Sequence, residues 1–202
     1  MRASAVAGIV FANINDSLMK KLTAMRSMAS VPFGARYRLI DFTLSNLVNA
    51  GVSSVGVIIK ENYRSLMDHI GSGVYWDLDR KNGGIYLLPP FLTSGTKRYN
   101  GTLDALYGAT DYIERCGADY IVLCNADTIA NIDISAAVES HIDKKADVTL
   151  AYHKGKAPRN NADIMFLNVG RNKKIESIDF EIEADGTNAF YAGVAVISRD
   201  VL

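Results

Sequence analysis

A polar segment after the first apolar run is where this sequence first offers chemistry. The run from Ala5 to Phe11 predicts a buried strand, and the loop after the first strand of a parallel α/β sheet lies at the carboxyl edge, where ligands bind. An anion-binding loop needs glycines for close backbone approach and cations or helix amides directed at phosphate. No glycine occurs between this strand and Gly34. The polar segment itself consists of Asn13, Ile14, Asn15, Asp16 and Ser17.

Basic side chains surround this loop in the sequence. They are Lys20, Lys21, Arg26, Arg36 and Arg38. Such a run is more often a solvated face than an anion site, although its expected place at the carboxyl edge of the sheet favours the second interpretation.

A carboxylate follows another candidate strand at the same edge. Tyr120 to Asn125 predicts a buried strand that runs into Asp127. A carboxylate in that place suits Mg²⁺, which prefers a few carboxylates together with phosphate oxygens. The alternative, with similar weight, is that Asp127 caps the turn before Thr128. Asp104 is interpreted more simply, as a first-turn carboxylate that faces a helix dipole.

Histidines and cysteines show no metal or nucleophile pattern. His69, His141 and His153 lack metal-ligand spacing, so we expect each at the surface or its boundary. Cys116 and Cys124 are expected to be structural thiols without a disulfide. The sequence also contains no P-loop, nucleophile elbow or dinucleotide-binding fingerprint.

Strand and helix patterns alternate along the chain. Strands are predicted at Ser4 to Phe11, Ser54 to Ile59, Ile85 to Leu88, Tyr120 to Asn125, Val148 to His153, Ala162 to Val169 and Phe190 to Ser198. Helices are predicted at Arg38 to Asn49, Asn62 to Ile70, Thr102 to Arg115 and Ser135 to Lys145. The third helix is expected to have Thr102 as N-cap and Leu103 on its inner face. This alternation predicts an α/β fold, a three-layer α/β/α sandwich with a mostly parallel mixed sheet.

The remaining segments predict loops and one hairpin. Gly71 to Gly84 and Pro89 to Gly101 are rich in turn formers and are expected to be mobile loops near the site. Asp163 to Val169 and Lys174 to Glu183 predict an antiparallel hairpin. Ser198 to Leu202 is typical of a helix start, so we expect the 202 residues to be one domain of a longer protein.

Composition limits the class of partner. Lys and Arg together number 22 and so do Asp and Glu, which leaves a formal charge of zero and no global field for nucleic acid or an anionic membrane. No apolar stretch approaches the roughly 20 residues of a membrane span, and the amino terminus lacks a signal-peptide pattern. We therefore expect a cytoplasmic protein whose partners are small molecules or proteins.

Several segments, in order along the chain, resemble the bacterial glucose-1-phosphate adenylyltransferases (ADP-glucose pyrophosphorylases) of glycogen synthesis. The matching segments are Val31 to Phe42, Leu44 to Asn46 with Asn49 and Gly51, Leu87 to Pro90, Tyr99 to Ala105, the strand that ends before Asp127, and Tyr191 to Val194. The resemblance implies the Rossmann-like nucleotide-diphospho-sugar transferase domain. It also implies a carboxyl-terminal left-handed β-helix domain that lies outside this chain. Active members transfer AMP from ATP to glucose 1-phosphate with Mg²⁺ and release pyrophosphate.

The resemblance also implies that the catalytic positions are replaced. Aligned without gaps from Phe33-Gly34, the family's phosphate-loop glycine pair falls on Asn13 and Ile14, and its third glycine falls on Asp16. The family's arginine falls on Leu18 and its lysine on Met28, so we expect no catalytic residue among these positions.

Other family positions fall into two groups. The sugar-phosphate lysine falls near Phe180 to Glu183, where no lysine occurs. Tyr99, Gly101 and Thr102 persist as nucleotide-pocket positions, and Asp127 persists as a vestigial metal position.

This pattern is similar to the GlgD-type subunits of that family, which pair with a catalytic subunit in some Gram-positive bacteria. The resemblance implies a regulatory pseudoenzyme that joins a catalytic adenylyltransferase subunit in a heterotetramer. An alternative is an active nucleotidyltransferase with a rearranged loop that uses Lys20, Lys21 or Arg26 as its cations. A third hypothesis is a module that senses ATP or a sugar phosphate without chemistry.

Overall fold

A central sheet organises the chain in a computed structural model that describes residues 6–13, 16–90, 99, 101–156, 164–180 and 188–202. The strands of this sheet are β1 (Val6–Phe11), β4 (Ser54–Ile58), β5 (Gly84–Leu88), β6 (Tyr120–Asn125), β7 (Val148–Gly155), β8 (Phe166–Val169), β9 (Ile175–Asp179) and β10 (Asn188–Ser198). A separate hairpin consists of β2 (Pro32–Phe33) and β3 (Tyr37–Arg38). The helices are α1 (Leu39–Asn49), α2 (Arg64–Ile70), α3 (Thr102–Tyr107), α4 (Thr110–Cys116) and α5 (Ile134–Lys144).

The sheet has the order β5-β4-β1-β6-β10-β8-β9, and β7 also pairs with β10. The four strands β5, β4, β1 and β6 run parallel to one another, whereas β10 is antiparallel to β6, β7 and β8. All residues of β1 are buried, as expected for a central strand covered on both faces. The expected mostly parallel mixed sheet is confirmed.

Helices cover both faces of this sheet. Alternate side chains of β1 enter two different cores: Val6 and Val10 pack with α1, α2 and α5, whereas Ala7, Ile9 and Phe11 pack with α3 and α4. This division confirms the three-layer arrangement. Within the described residues, no helix combines the length and apolar character that a bilayer crossing requires.

A capping hydrogen bond stabilises the amino terminus of α1. The backbone N–H of Arg38, the residue before α1, donates to Asp41 Oδ2 at 3.0 Å. This bond satisfies a donor that the helix itself cannot pair. The β2–β3 hairpin that precedes α1 was not predicted, because its strands are only two residues long.

The predicted helix from Thr102 to Arg115 is wrong in its continuity. It breaks at Gly108 and Ala109 into α3 and α4, and the hydroxyl of Thr110 donates to the Tyr107 carbonyl at 2.6 Å, which occupies a terminal acceptor of α3. The N-cap is Gly101, not Thr102, and Leu103 is 82% exposed, not on the inner face. Periodicity alone did not reveal the break.

Two other predicted segments have different outcomes. The segment from Gly71 to Gly84 was expected near the site, but the Gly84 N–H donates to the Ser53 carbonyl at 2.7 Å, where β4 and β5 begin, at the opposite edge. The end of this segment therefore lies at the amino edge of the sheet, whereas Tyr75 and Trp76 within it lie beside Tyr37 and Asp41. Most of Pro89 to Gly101 lies outside the described residues. The hairpin of β8 and β9 is confirmed.

The cysteines behave as expected, and one histidine does not. Cys116 and Cys124 are both free, and burial raises the pKa of the Cys124 thiol to about 12. His141 was expected near the surface but is only 1% exposed. Its Nδ1 is 2.9 Å from Thr149 Oγ1 and its Nε2 is 3.0 Å from Ser198 Oγ, so two hydroxyls from the sheet satisfy the buried ring.

Burial of His141 predicts a loss of stability in mild acid. Burial lowers the pKa of His141 below its ordinary value, with Asp147 opposing part of that shift. Below about pH 6.5 the unfolded chain therefore binds a proton that the folded chain resists, and the free energy of unfolding falls as pH falls, by at most about 1.4 kcal/mol per pH unit for one proton. Urea unfolding across this range should show the slope.

His141→Gln should flatten this dependence, because it removes the titrating group. His153→Gln is the matched control, since His153 is exposed and its replacement leaves His141 in place. Equal slopes in the wild type and His141→Gln would contradict the assignment.

A bulge in β10 shapes the sheet next to β6. The pairing register of β10 with β7 shifts between Tyr191 and Ala195, and Gly193 within this interval has φ of +77°. A Cβ on Gly193 would collide with Thr128 Oγ1 and lie 3.2 Å from Asn125 Cβ. The bulge therefore needs glycine both for its backbone conformation and for its close approach to β6.

Gly193→Ala should lower the free energy of unfolding by about 2–4 kcal/mol through strain and overlap together. Gly51→Ala is the matched control, because Gly51 has φ of +78° with no atom within 4 Å of an added Cβ. It should cost about 1 kcal/mol. Equal losses in urea unfolding would show that close packing at the bulge is unimportant.

Candidate functional site

The four parallel strands end at a common edge that holds the two positions expected to matter. Asn13 lies two residues past β1, and Asp127 lies two residues past its parallel neighbour β6. The backbone N–H of Ala126 donates to the Phe11 carbonyl at 3.1 Å, which keeps the two strand ends together beyond the ladder. The predicted placement of both residues at the carboxyl edge is therefore confirmed.

Asn13 belongs to the connection between β1 and β2, which we call the opening loop, and joins it to the end of β4. Its Oδ1 accepts from the Lys60 backbone N–H at 2.7 Å, and its Nδ2 donates to the Glu61 carbonyl at 3.1 Å. Both partners follow β4, so the side-chain amide bridges two strand ends. A glycine at this position could make neither bond.

The carboxylate of Asp16 accepts hydrogen bonds from two directions. Asn13 Nδ2 donates to its Oδ2 at 2.7 Å, and the backbone N–H of Met28 donates to its Oδ1 at 2.7 Å. The second bond spans 12 residues and closes the loop onto its own far end. A backbone N–H and an amide that converge on an anion resemble the donors of a phosphate loop, but here the anion belongs to the chain.

Two further hydrogen bonds stabilise this loop. The Thr23 hydroxyl donates to the Asp16 carbonyl at 2.5 Å, and the Ala29 N–H donates to the Ala12 carbonyl at 3.3 Å. Met28 is 6% exposed and packs with Val31 and Leu39. The thioether therefore lies in an apolar cluster and supplies no charge to the loop.

The other positions that the resemblance aligns with family site residues are described only in part. Leu18 lies in the short 3-10 turn Asp16–Met19, and Ile14 lies outside the described residues. Phe180 is exposed and follows β9, but the rest of the predicted sugar-phosphate segment, 181–183, also lies outside them.

Two of the basic residues near the loop are engaged elsewhere. Arg38 Nη1 donates to the carbonyl and the hydroxyl of Ser65 at 2.5 and 2.7 Å, and the guanidinium of Arg36 lies 5.4 Å from the ring centre of Tyr37. Lys20 and Lys21 are exposed. Arg26 is half-buried, and the contacts of Arg38 and Arg36 are with Ser65 and Tyr37.

Asp127 is half-buried near Tyr191, which the resemblance includes but which the sequence did not predict to lie beside Asp127. Burial raises the pKa of Tyr191, and the nearby Cys124 and Asp127 raise it further. The bulge at Gly193 lies between this tyrosine and the second half of β10. Within the described ranges, no three His, Cys, Asp or Glu side chains group as a metal site.

The remaining predicted pocket positions are divided between core and surface. Tyr99 is 6% exposed, donates to the Pro89 carbonyl at 3.3 Å and packs with Ala105, Leu106 and Ala109. Burial raises the pKa of its hydroxyl, and the Asp104 carboxylate adds to that shift. Gly101 and Thr102 are exposed at the start of α3.

Comparison with known proteins agrees with this architecture. The family model described as "Nucleotidyl transferase" matches residues 17–166, well over half of the chain. The chain belongs to the nucleotidyl transferase family.

Individual relatives carry two different names. The chain is 42% identical over 151 residues to "Glycogen biosynthesis protein GlgD" of Geobacillus stearothermophilus, a match over 74% of this chain and 44% of that protein. It is 41% identical over 144 residues to "Glucose-1-phosphate adenylyltransferase" of the same organism, over 71% and 37%. A Bacillus mycoides protein of the latter name is 36% identical over 174 residues, over 86% and 46%. The chain thus spans less than half the length of these relatives.

The loop network predicts energetic coupling between Asn13 and Asp16. Asp16→Ala should lower the free energy of unfolding by about 1–3 kcal/mol, because it leaves the Met28 N–H and the Asn13 amide without their acceptor. In a double-mutant cycle, Asn13→Ala and Asp16→Ala should couple by about 1 kcal/mol.

The exposed pair of Ser72 and Asp79, joined at 3.1 Å, is the matched control and should couple by close to zero. Urea unfolding measures both cycles. Additive losses at Asn13 and Asp16 would contradict the network.

Proposed function

We propose that this chain is the nucleotidyltransferase-like part of a regulatory subunit of glucose-1-phosphate adenylyltransferase in glycogen biosynthesis. In this account it does little or no catalysis itself and associates with a catalytic subunit that makes ADP-glucose and pyrophosphate from ATP and glucose 1-phosphate. The similarity to both kinds of relative supports the pathway. Assembly would be hetero-oligomeric and cytoplasmic.

One observation carries the proposal: the Asp16 carboxylate occupies the donors of the opening loop. A polyphosphate bound there would have to displace that carboxylate or lie beside it. Two like charges about 4 Å apart near a protein surface repel by about 4 kcal/mol. The two positions that the resemblance aligns with the family's arginine and lysine carry no charge, because they are Leu18 and Met28, and the guanidinium of Arg38 donates to Ser65.

Magnesium could bind at this site only together with the phosphates of a bound nucleotide. Mg²⁺ binds through one or two carboxylates together with substrate phosphates. Asp127 could supply one such carboxylate, but the phosphates would have to come from a nucleotide in the loop that Asp16 fills. The proposal therefore assigns Asp127 no metal-dependent step in this chain.

Pyrophosphate release is the direct test. The full-length protein alone, given ATP, Mg²⁺ and glucose 1-phosphate, should release pyrophosphate at background rate, since positioned charge supplies most of the catalysis of phosphoryl transfer. Added to its catalytic partner, it should raise the partner's rate. Robust turnover by the isolated protein would overturn the proposal.

Asp127→Asn in the mixed enzyme separates this proposal from an active enzyme with a rearranged loop. If the chain is regulatory, this variant should keep the activity of the mixture largely intact. If the chain catalyses with Lys20, Lys21 or Arg26, the variant should abolish its own share. Asp119→Asn is the control, because Asp119 is an exposed aspartate just before the other end of β6.

A further inference from the structure

A pocket beside the amino terminus of α1 combines aromatic faces with a paired carboxylate and imidazole. It has a volume of about 550 Å³, within the range of small-molecule sites. The β2–β3 hairpin, the first turns of α1, the end of α2 and the 3-10 turn Val74–Trp76 enclose it. We call it the aromatic pocket, and the side chains that matter here are Arg36, Tyr37, Asp41, Ser45, Tyr75 and Trp76, together with His69.

Two tyrosine side chains of the pocket are exposed to solvent. Tyr75 is 85% exposed and Tyr37 is 46% exposed, although both lie beside other rings. Tyr75 meets Trp76 edge to face at 6.2 Å, and Tyr37 lies 6.1 Å from Phe42. Tyrosine is an amphipathic side chain that offers a rigid apolar face to a ligand at low entropic cost.

The polar lining of the pocket contains a carboxylate, an imidazole and a hydroxyl. Asp41 is only 8% exposed, yet its Oδ1 lies 2.6 Å from His69 Nε2 while its Oδ2 caps α1. The imidazole is held edge to face against Trp76 at 6.0 Å. Ser45 is exposed one helical turn after Asp41 and supplies a hydroxyl to the same pocket.

This mixture distinguishes between ligand classes. A phosphate site gathers donors and cations, whereas here a carboxylate stands among them and the one guanidinium lies over Tyr37. A ring with many hydroxyls needs both donors and acceptors around its edge and an apolar surface for its C–H face. Aromatic faces with a carboxylate, an imidazole, a hydroxyl and a guanidinium provide that set.

We propose that the aromatic pocket binds a neutral glucan chain, with a glucosyl ring packed on Tyr75 and its hydroxyls bonded to Asp41, His69 and Ser45. The choice of an α-1,4-glucan among neutral sugars rests on the proposed role in glycogen biosynthesis. Such a site would hold the assembly that supplies activated glucose on the polymer that consumes it.

Titration of the full-length protein with maltoheptaose, followed by calorimetry without ATP or a partner subunit, tests this site. Electrophoresis through native gels that contain glycogen gives a second readout. Wild type should bind and be retarded. Tyr75→Ala should weaken binding by about tenfold, the effect of losing one aromatic face. Tyr75→Phe should bind like wild type, because the ring remains.

Tyr107→Ala is the matched control, because Tyr107 is 79% exposed on α3, in the opposite helix layer, and its loss should change nothing. Absence of maltoheptaose binding by wild type, equal binding by Tyr75→Ala, or binding of glucose 1-phosphate and inorganic phosphate alone would each overturn the proposal. Pyrophosphate release is not measured in this experiment. An active enzyme that binds maltoheptaose would contradict only the proposed function, and an inactive one that does not bind would contradict only the glucan site.

Discussion

The carboxylate of Asp16 determines what the opening loop can do. It accepts from Asn13 on one side and from the Met28 backbone on the other, and Asn13 in turn is tied to the end of β4. This one carboxylate thereby links the loop to the ends of β1 and β4 and to the apolar cluster of Met28, Val31 and Leu39. A loop of this family that used glycines could leave its donors pointing at a nucleotide. Here a side chain of the protein satisfies them, so the local structure is complete without a ligand.

Around this loop the scaffold is the mixed, mostly parallel α/β sheet of a nucleotidyl transferase family member. The parallel strands β5, β4, β1 and β6 bring Asn13 and Asp127 to one edge, and the bulge at Gly193 sets β10 against the end of β6. These features do not depend on the residues that touch phosphate. A fold can therefore persist while the chemistry at its edge changes.

Much of this arrangement follows from sequence pattern, and the failures have physical causes. The long apolar runs of β1 and β6 and the glycine after α4 predict the sheet and a helix end, because burial and left-handed backbone leave strong signals. The break at Gly108 and the burial of His141 could not be predicted, since both depend on tertiary partners, Tyr99 in one case and two strand hydroxyls in the other. The absence of glycine between β1 and Gly34 and the presence of Asp16 were visible in sequence. The hydrogen bond of that anion to Met28 was not, because it joins residues 12 apart in an irregular loop.

If the Asp16 carboxylate already fills the place of a phosphate, ATP should leave the donors of that carboxylate undisturbed. The most direct measurement follows the backbone amide resonance of Met28 in isotopically labelled full-length protein while ATP and Mg²⁺ are added to millimolar concentration. The account predicts that this resonance keeps its position, because its N–H is donated to Asp16 throughout. A saturable shift of the Met28 amide would contradict the account, since it would mean that the nucleotide displaces the carboxylate.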